Sequence, residues 1–275
     1  MSPIYVPGKL VLRKESVPFD YDAWQYIAAV EAEDGEILEQ PVRDAITNFV
    51  IGCKTDGIWD AIKASCILAG ARTLAGALYP LKGAAPTKQG TEGGWNYNRK
   101  TGLQGNGTNN YLNSNRLDSA DPQDDSHRSV YIDTPGTQVL YDAYIGVVYT
   151  GPTRQSYILR ALDAGGRMIF TERGGGLGAQ ADVANQQNAT GFVGASRSAS
   201  ATHFARVAQA NYSLTSTSQI TIADNSYVFA RNLNSTANSI TNARLAFYSI
   251  GESLDLALLD ARVTALVNAI GVAIP

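Results

Sequence analysis

The chain is poor in cysteine, in net charge and in long apolar runs. Its 275 residues contain only two cysteines and carry a formal net charge of −3. Because two cysteines cannot form a disulfide framework in a chain of this length, we expect Cys53 and Cys66 to be buried, reduced thiols. The small negative charge argues against a general nucleic-acid-binding protein, which normally presents a basic face.

Membrane and export signals are also scarce in this sequence. No segment reaches the roughly 18 uninterrupted apolar residues that a membrane span needs. The first residues, Met-Ser-Pro-Ile-Tyr-Val-Pro, lack the basic residues and the long apolar run of a signal peptide. These absences predict a protein that is made in a cytoplasm and does not insert into a membrane.

The N-terminal part of the chain shows an extended pattern and then a helical one. Residues 1–20 contain three prolines separated by apolar residues, which favours an extended arm that docks on a neighbour. Residues 21–63 form the predicted helical segment. The apolar positions of its first helix are Trp24, Ile27, Ala28 and Val30, and those of its second helix, which begins near Pro41, are Val42, Ile46, Phe49 and Val50.

The C-terminal part predicts a strand that runs into a helix. Residues 243–251 alternate apolar and polar side chains and end on a glycine, which is typical of a strand that closes a sheet. Residues 253–275 form the predicted C-terminal helix, with Ser253 as its N-cap and one apolar face that packs on the sheet. The apolar positions of that face are Leu256, Leu259, Val263, Leu266, Val267 and Ile270.

The middle of the chain, residues 64–252, has the composition and residue pattern of a β domain. Glycine, asparagine, serine and threonine become dense from about residue 84, and they separate many short apolar runs. We predict strands near 110–113, 128–134, 141–149, 156–162, 167–172, 190–195, 203–208, 218–222, 226–231 and 243–250. Regularly spaced short strands predict a mainly β fold, an antiparallel jelly-roll sandwich with an N-terminal helical segment and a C-terminal helix.

Two stretches of the sequence resemble structural proteins of tailed bacteriophages. The first is Tyr-Asn-Arg-Lys-Thr-Gly-Leu-Gln-Gly-Asn-Gly-Thr-Asn-Asn-Tyr-Leu-Asn-Ser-Asn at 97–115, and the second is Ala-Arg-Leu-Ala-Phe-Tyr-Ser-Ile-Gly-Glu-Ser-Leu-Asp-Leu at 243–256. The proteins that they resemble are built on a concanavalin A-like, laminin-G-like β-sandwich. In that family the first stretch opens the sandwich and the second closes it. The resemblance covers roughly residues 20–271.

This resemblance implies a protein of the virion, made in the host cytoplasm, and it supplies no catalytic residues. We therefore expect a non-enzymatic structural protein of a tail fibre, baseplate or other surface appendage that contacts the host. A capsid decoration protein that clamps coat subunits is the alternative within the family. Other virion proteins and copies of the chain itself are the expected partners, with a trimer as the expected state in a fibre.

A glycan-cleaving enzyme on the same fold is the alternative of another class. Such enzymes need two carboxylates about 5 to 10 Å apart that face a groove. The glutamates after residue 50 are Glu92, Glu172 and Glu252, and none has an acidic residue two positions away. The sequence therefore predicts that the protein is not an enzyme. The two histidines, His127 and His203, are expected to be surface residues or hydrogen-bonded strand residues.

The loop that contains Trp95, Asn96 and Tyr97 is the candidate for contact with a host glycan or receptor. Aromatic rings stack on sugar rings, while asparagine amides bond to the hydroxyl groups. The alternative is that Trp95 and Tyr97 cover one edge of the sandwich.

Four aspartates, Asp118, Asp121, Asp124 and Asp125, form the candidate metal site. Clustered carboxylates on a loop are the ligands of a hard cation such as Ca²⁺. The spacing matches no EF-hand loop, and Pro122 among Asp and Ser residues is also ordinary turn chemistry. No other cofactor is expected.

Overall fold

The computed structural model describes residues 17–137, 141–163, 165–175 and 181–275. Of the predicted N-terminal arm, residues 1–16 lie outside the described residues. The described part contains four α-helices: α1 (Tyr21–Asp34), α2 (Gln40–Thr55), α3 (Leu74–Ala77) and α4 (Leu256–Ala273). Two single turns of 3₁₀-helix span Glu92–Gly94 and Asp118–Ala120.

The described strands number seventeen and are short. They are β1 (Ile62–Ile67), β2 (Thr87–Gln89), β3 (Asn96–Asn98), β4 (Gly102–Gln104), β5 (Tyr111–Leu117), β6 (Ser126–Thr134), β7 (Tyr141–Thr150), β8 (Thr153–Ala161), β9 (Met168–Gly174), β10 (Ala181–Val183), β11 (Gly191–Arg197), β12 (Thr202–Val207), β13 (Ala210–Thr215), β14 (Asn225–Val228), β15 (Arg231–Leu233), β16 (Thr236–Asn238) and β17 (Arg244–Gly251).

These strands form two sheets that pack face to face. One sheet has the order β13-β12-β11-β6-β17-β4-β3, and β1 also pairs with β17. The other has the order β10-β9-β8-β7-β14-β5-β2, with β15 and β16 attached beside β7. Among the described strands, pairing is antiparallel except for the contact of β15 with β7. The predicted mainly β, antiparallel sandwich with an N-terminal helical segment and a C-terminal helix is confirmed.

Helices α1, α2 and α4 form a layer on the outer face of the first sheet. We call this sheet the helix-backed sheet. Phe49 of α2 meets Phe247 of β17 edge to face, with ring centroids 5.7 Å apart. Tyr248, the next residue of β17, belongs instead to the core between the two sheets. This alternation along one strand gives the helix-backed sheet two apolar faces, one against the helices and one against the second sheet.

The helical patterns of the sequence predicted two of these helices well. The expected apolar faces of α2 and α4 are buried in the core against the helix-backed sheet. The cap of α4 differs from the prediction, because the helix begins at Leu256 and Asp255 accepts hydrogen bonds from the first N–H groups. Ser253 lies before the helix, and its N–H donates to Asp125 instead.

Helix α4 is also the one helix among the described residues that is long and apolar enough to cross a membrane, judged by length and composition alone. Its buried residues pack against α2 and β11, as those of a core helix do.

One predicted strand, 218–222, is wrong, and the sequence missed the short strands β2, β3, β4, β10, β13 and β16. The backbone around 218–222 forms its hydrogen bonds outside any ladder. Ser218 donates to the carbonyl of Ser200, and the N–H of Ile222 donates to the carboxylate of Asp118. These bonds satisfy buried backbone groups without a partner strand.

Candidate functional site

The predicted aromatic loop lies at the β3 edge of the helix-backed sheet. The Trp95 ring packs edge to face on Phe229, with centroids 5.6 Å apart, and the Tyr97 hydroxyl donates to the carbonyl of Ala71 over 2.7 Å. Both rings are half-buried, while Asn96 is exposed. Two of the three side chains therefore cover part of the sandwich, and the contact with a glycan stays a prediction.

Asp118 and Asp121, the first two predicted metal ligands, form ion pairs with arginines. The Asp118 side chain is 1% exposed and forms ion pairs with Arg128 and Arg173. The Asp121 side chain is 2% exposed and forms an ion pair with Arg116. Because each guanidinium already neutralises its carboxylate, Asp118 and Asp121 offer little to a cation.

The other two predicted ligands do not complete a site. Asp125 accepts a hydrogen bond from the N–H of Ser253 over 2.7 Å, and Oδ1 of Asp124 is buried without a hydrogen-bond partner. Over the described ranges, no group of three or more His, Cys, Asp or Glu side chains is placed to hold a metal ion. The geometry gives the calcium hypothesis no support.

The arginines belong to a polar cluster that lies between the two sheets. Arg128 donates to Glu172, to the carbonyl of Ser156 and to Asp118. Burial pushes the pKa of Glu172 upward, but Arg128, Arg173 and the Ser126 hydroxyl outweigh it and bring that pKa to about 2. Glu172 is therefore ionised and closed to solvent, so its role is to hold the sheets together.

Both histidines are buried and hydrogen-bonded, which is one of the two placements that the sequence predicted. His127 contacts the carbonyl of Glu252 through Nδ1 at 2.5 Å and the Ser249 hydroxyl through Nε2 at 2.9 Å. Nε2 of His203 lies 3.0 Å from the carbonyl of Phe170. Burial lowers the pKa of both rings, that of His127 to about 4.

A groove that the sequence did not predict lies beside the N-terminal helices. Three separate segments build it: α1, the turn after α2 and the loop that follows α3. We call it the aromatic groove, and its volume is about 670 Å³. The lining residues that matter below are Trp24, Gln25, Tyr26, Trp59, Asp60, Tyr79 and Lys82.

The aromatic residues of the groove differ in how they are held. Tyr26 and Trp59 are buried, and Tyr26 packs on Tyr79 with ring centroids 6.3 Å apart. Trp24 is 50% exposed. The sequence grouped Trp24 with Ile27, Ala28 and Val30 as the apolar positions of α1, but Trp24 and Ala28 are exposed. The buried stripe is Ala23, Tyr26, Ile27 and Val30, and Trp24 turns outward.

Lys82 places a positive charge in the groove. Its backbone is fixed by an isolated bridge to Ser65, whose N–H donates to the Lys82 carbonyl over 3.0 Å. Its ammonium lies 4.3 Å from the centroid of the Trp59 ring, a cation–π contact. The side chain of Lys82 is half-buried, and this burial lowers its pKa although the carboxylates of Asp60 and Asp22 act in the opposite direction.

The comparisons with known proteins give little beyond the fold. No family model matches the chain, and no curated protein matches it. One similar solved structure is the NanB sialidase from Streptococcus pneumoniae in complex with 2-[(3-chlorobenzyl)ammonio]ethanesulfonate, at 12% identity and a TM-score of 0.38, over 53% of this chain and 26% of that chain. Another is a mutant of Trypanosoma rangeli sialidase displaying trans-sialidase activity, at 8% identity and a TM-score of 0.49. That match covers 90% of this chain and 38% of the sialidase.

This comparison corrects one prediction from the sequence. Both solved structures are sialidases, which contradicts the prediction that the chain is not an enzyme. The chain spans only 26% and 38% of the lengths of these proteins. At such low identities and TM-scores, the likeness assigns no activity and no substrate to this chain.

Proposed function

We propose that the chain is a structural component of a tailed-bacteriophage virion, in a tail fibre, baseplate or other surface appendage that contacts the host. The observation that supports this proposal is the position of the two stretches that resemble phage proteins. They are more than a hundred residues apart in sequence, yet β17 pairs with β4 through Arg244 with Gln104 and Leu245 with Leu103.

Side-chain contacts strengthen the pairing of the two stretches. The Arg244 guanidinium donates to the carbonyl of Gly102 over 2.7 Å and to the side-chain oxygen of Gln104 over 2.9 Å. Gly102 has a φ of +102°, and a Cβ there would lie 2.1 Å from the carbonyl oxygen of Leu245. Because glycine is the residue that fits this close approach, the two motifs behave as one structural unit.

Exposed aromatic residues support the part of the proposal that concerns contact with a host. Phe19, Tyr21 and Trp24 are 76%, 58% and 50% exposed, and they follow one another closely at the start of α1. Exposed aromatic clusters of this kind commonly mark binding surfaces. The proposal includes self-association, as a trimer in a fibre, because symmetric sites of a virion are filled by copies of one chain.

The test is to find the protein in phage particles. Antibodies raised against the purified chain would be applied to gradient-purified virions from a host culture that produces the phage, and bound antibody would be located by immunogold electron microscopy. Labelling of the tail fibres or baseplate is expected. Labelling of the capsid would contradict the appendage and favour a decoration protein. Absence from intact virions, by labelling and by mass spectrometry, would overturn the proposal.

A further inference from the structure

The aromatic groove has one ring that is open to a ligand. Trp24 lines the groove with half of its surface exposed, whereas the ring of Trp59 is buried. Tyr21 lies against Trp24, with ring centroids 6.0 Å apart and an angle of 29° between the ring planes. The neighbouring ring supports the indole, so Trp24 is a firm platform for a flat apolar surface such as the face of a sugar ring.

The ammonium of Lys82 is available to an anion. Across the described ranges, no carboxylate lies within 4.0 Å of Lys82 Nζ, and its contact is with the Trp59 ring. Nearby lysines differ in this respect. Lys54 pairs with Asp20 and Asp22 at 2.7 Å each, and Lys63 pairs with Glu252 at 3.0 Å. Asp60 and Asp22 act on the Lys82 charge from a longer distance, so an anionic ligand can still supply the direct, hydrogen-bonded ion pair that Lys82 lacks.

Groups that can bond to hydroxyls complete the lining. Asp60 is exposed at the turn after α2, and its carboxylate can accept hydrogen bonds from hydroxyl groups. Gln25 donates through Nε2 to the Tyr21 hydroxyl over 2.9 Å, which leaves its carbonyl oxygen as an acceptor. The groove therefore combines an aromatic platform, acceptors for hydroxyls and one lysine ammonium that forms no ion pair within 4.0 Å among the described residues.

We infer that the aromatic groove binds an acidic sugar, a residue of a uronic-acid-containing surface polysaccharide. The sugar ring stacks on Trp24, its carboxylate pairs with Lys82, and its hydroxyls donate to Asp60. This inference rests on the proposed function, since it names the class of host-surface ligand. It places sugar contact in the N-terminal helical segment, away from the loop of Trp95.

The test uses the full-length chain and titration calorimetry. The probes are a panel of uronic-acid-containing oligosaccharides, each paired with its carboxyl-reduced form. We expect at least one acidic member to bind at least tenfold more tightly than its reduced form. Lys82→Gln is expected to weaken acidic binding about tenfold and to leave binding of the reduced form unchanged, because the reduced sugar has no carboxylate to pair with Lys82.

Two further variants separate the groove from the predicted loop. Trp24→Ala is expected to weaken binding of both forms about tenfold, whereas Trp24→Phe keeps a stacking surface and most of the affinity. Trp95→Ala and Lys63→Gln are the matched controls and are expected to bind as the parent does. Circular dichroism would verify that each variant is folded.

Three outcomes would overturn the inference: no acidic member is preferred over its reduced form, Lys82→Gln keeps the preference, or Trp95→Ala abolishes binding while Trp24→Ala does not. The last outcome would assign sugar contact to the loop of Trp95. The two proposals fail separately. If the protein is found in virion tails but does not bind acidic sugars, only this inference is refuted. If it binds acidic sugars but is absent from virions, only the virion role is refuted.

Discussion

Arg128 of β6 and Glu172 of β9 form an ion pair that joins the two sheets of the sandwich. Nε of Arg128 lies 2.6 Å from Oε2 of Glu172, and the two side chains are 1% and 0% exposed. Charges buried this deeply are costly unless each one is paired and hydrogen-bonded. The surrounding bonds from Ser126 to Glu172 and from Arg128 to Ser156 meet that requirement.

Removal of the Glu172 charge is expected to destabilise the fold strongly. Glu172→Gln leaves Arg128 buried with one carboxylate fewer, and we expect the free energy of unfolding to fall by about 3 to 5 kcal/mol. Urea denaturation would measure this change. Glu92→Gln is the matched control, because Glu92 is 80% exposed and its pair with Lys88 should matter little. Equal losses in both variants would contradict a structural role of the buried pair.

The stability of the protein is expected to fall in mild acid because of His127. Burial lowers the pKa of His127 from 6.5 to about 4 in the folded chain, so the unfolded chain binds the proton more tightly. The stabilising contribution of the neutral ring is therefore complete above pH 6.5 and is lost as the pH falls from 6.5 to about 4. The loss is about 3 kcal/mol at most.

Ring NMR titration would test this directly. The His127 resonances should stay those of a neutral imidazole down to about pH 4 in the folded protein. A titration midpoint near 6.5 in the folded chain would refute the account of His127.

Both cysteines are expected to be inert in the native protein. Burial raises the pKa of the Cys53 and Cys66 thiols to about 12, and reactivity requires the thiolate. A thiol reagent at pH 8 should label neither residue in the folded chain and both in guanidinium. Rapid labelling of either cysteine without denaturant would show that its surroundings are more open than described.

Gly102 is expected to tolerate no side chain. Its positive φ and the 2.1 Å approach of a Cβ to the Leu245 carbonyl predict that Gly102→Ala lowers the free energy of unfolding by at least about 2 kcal/mol. Gly93→Ala is the matched control, because a Cβ there meets nothing within 4 Å. Denaturation of both variants would be compared. A Gly102→Ala variant with an unchanged free energy of unfolding would mean that β4 and β17 do not approach each other as closely as described.

Periodicity in the sequence predicted those parts of the fold that bury one face of an element. Phe49 in α2 and Val263 in α4 lie where the helical spacing places them, and the alternation in β17 predicted a closing strand. Trp24 was grouped with the apolar positions because the apolar residues of α1 fit two helical faces that are offset by one residue. The sequence of one helix does not show which of these two faces packs against the core.

Contacts between distant residues could not be predicted from the sequence. Arg128 and Glu172 are 44 residues apart, and Asp118 bonds to the N–H of Ile222 across 104 residues. Nothing in the acidic loop shows that arginines of other strands neutralise its carboxylates. The aromatic groove was missed for the same reason, since Trp24, Trp59 and Lys82 come from three separate segments of the chain.

The most direct test of the central claim is binding of the purified, fluorescently labelled chain to intact host cells, with and without competing surface polysaccharide. We expect saturable binding that the competitor abolishes and that Trp24→Ala weakens. Absence of binding by a folded, properly assembled oligomer would contradict contact with the host surface.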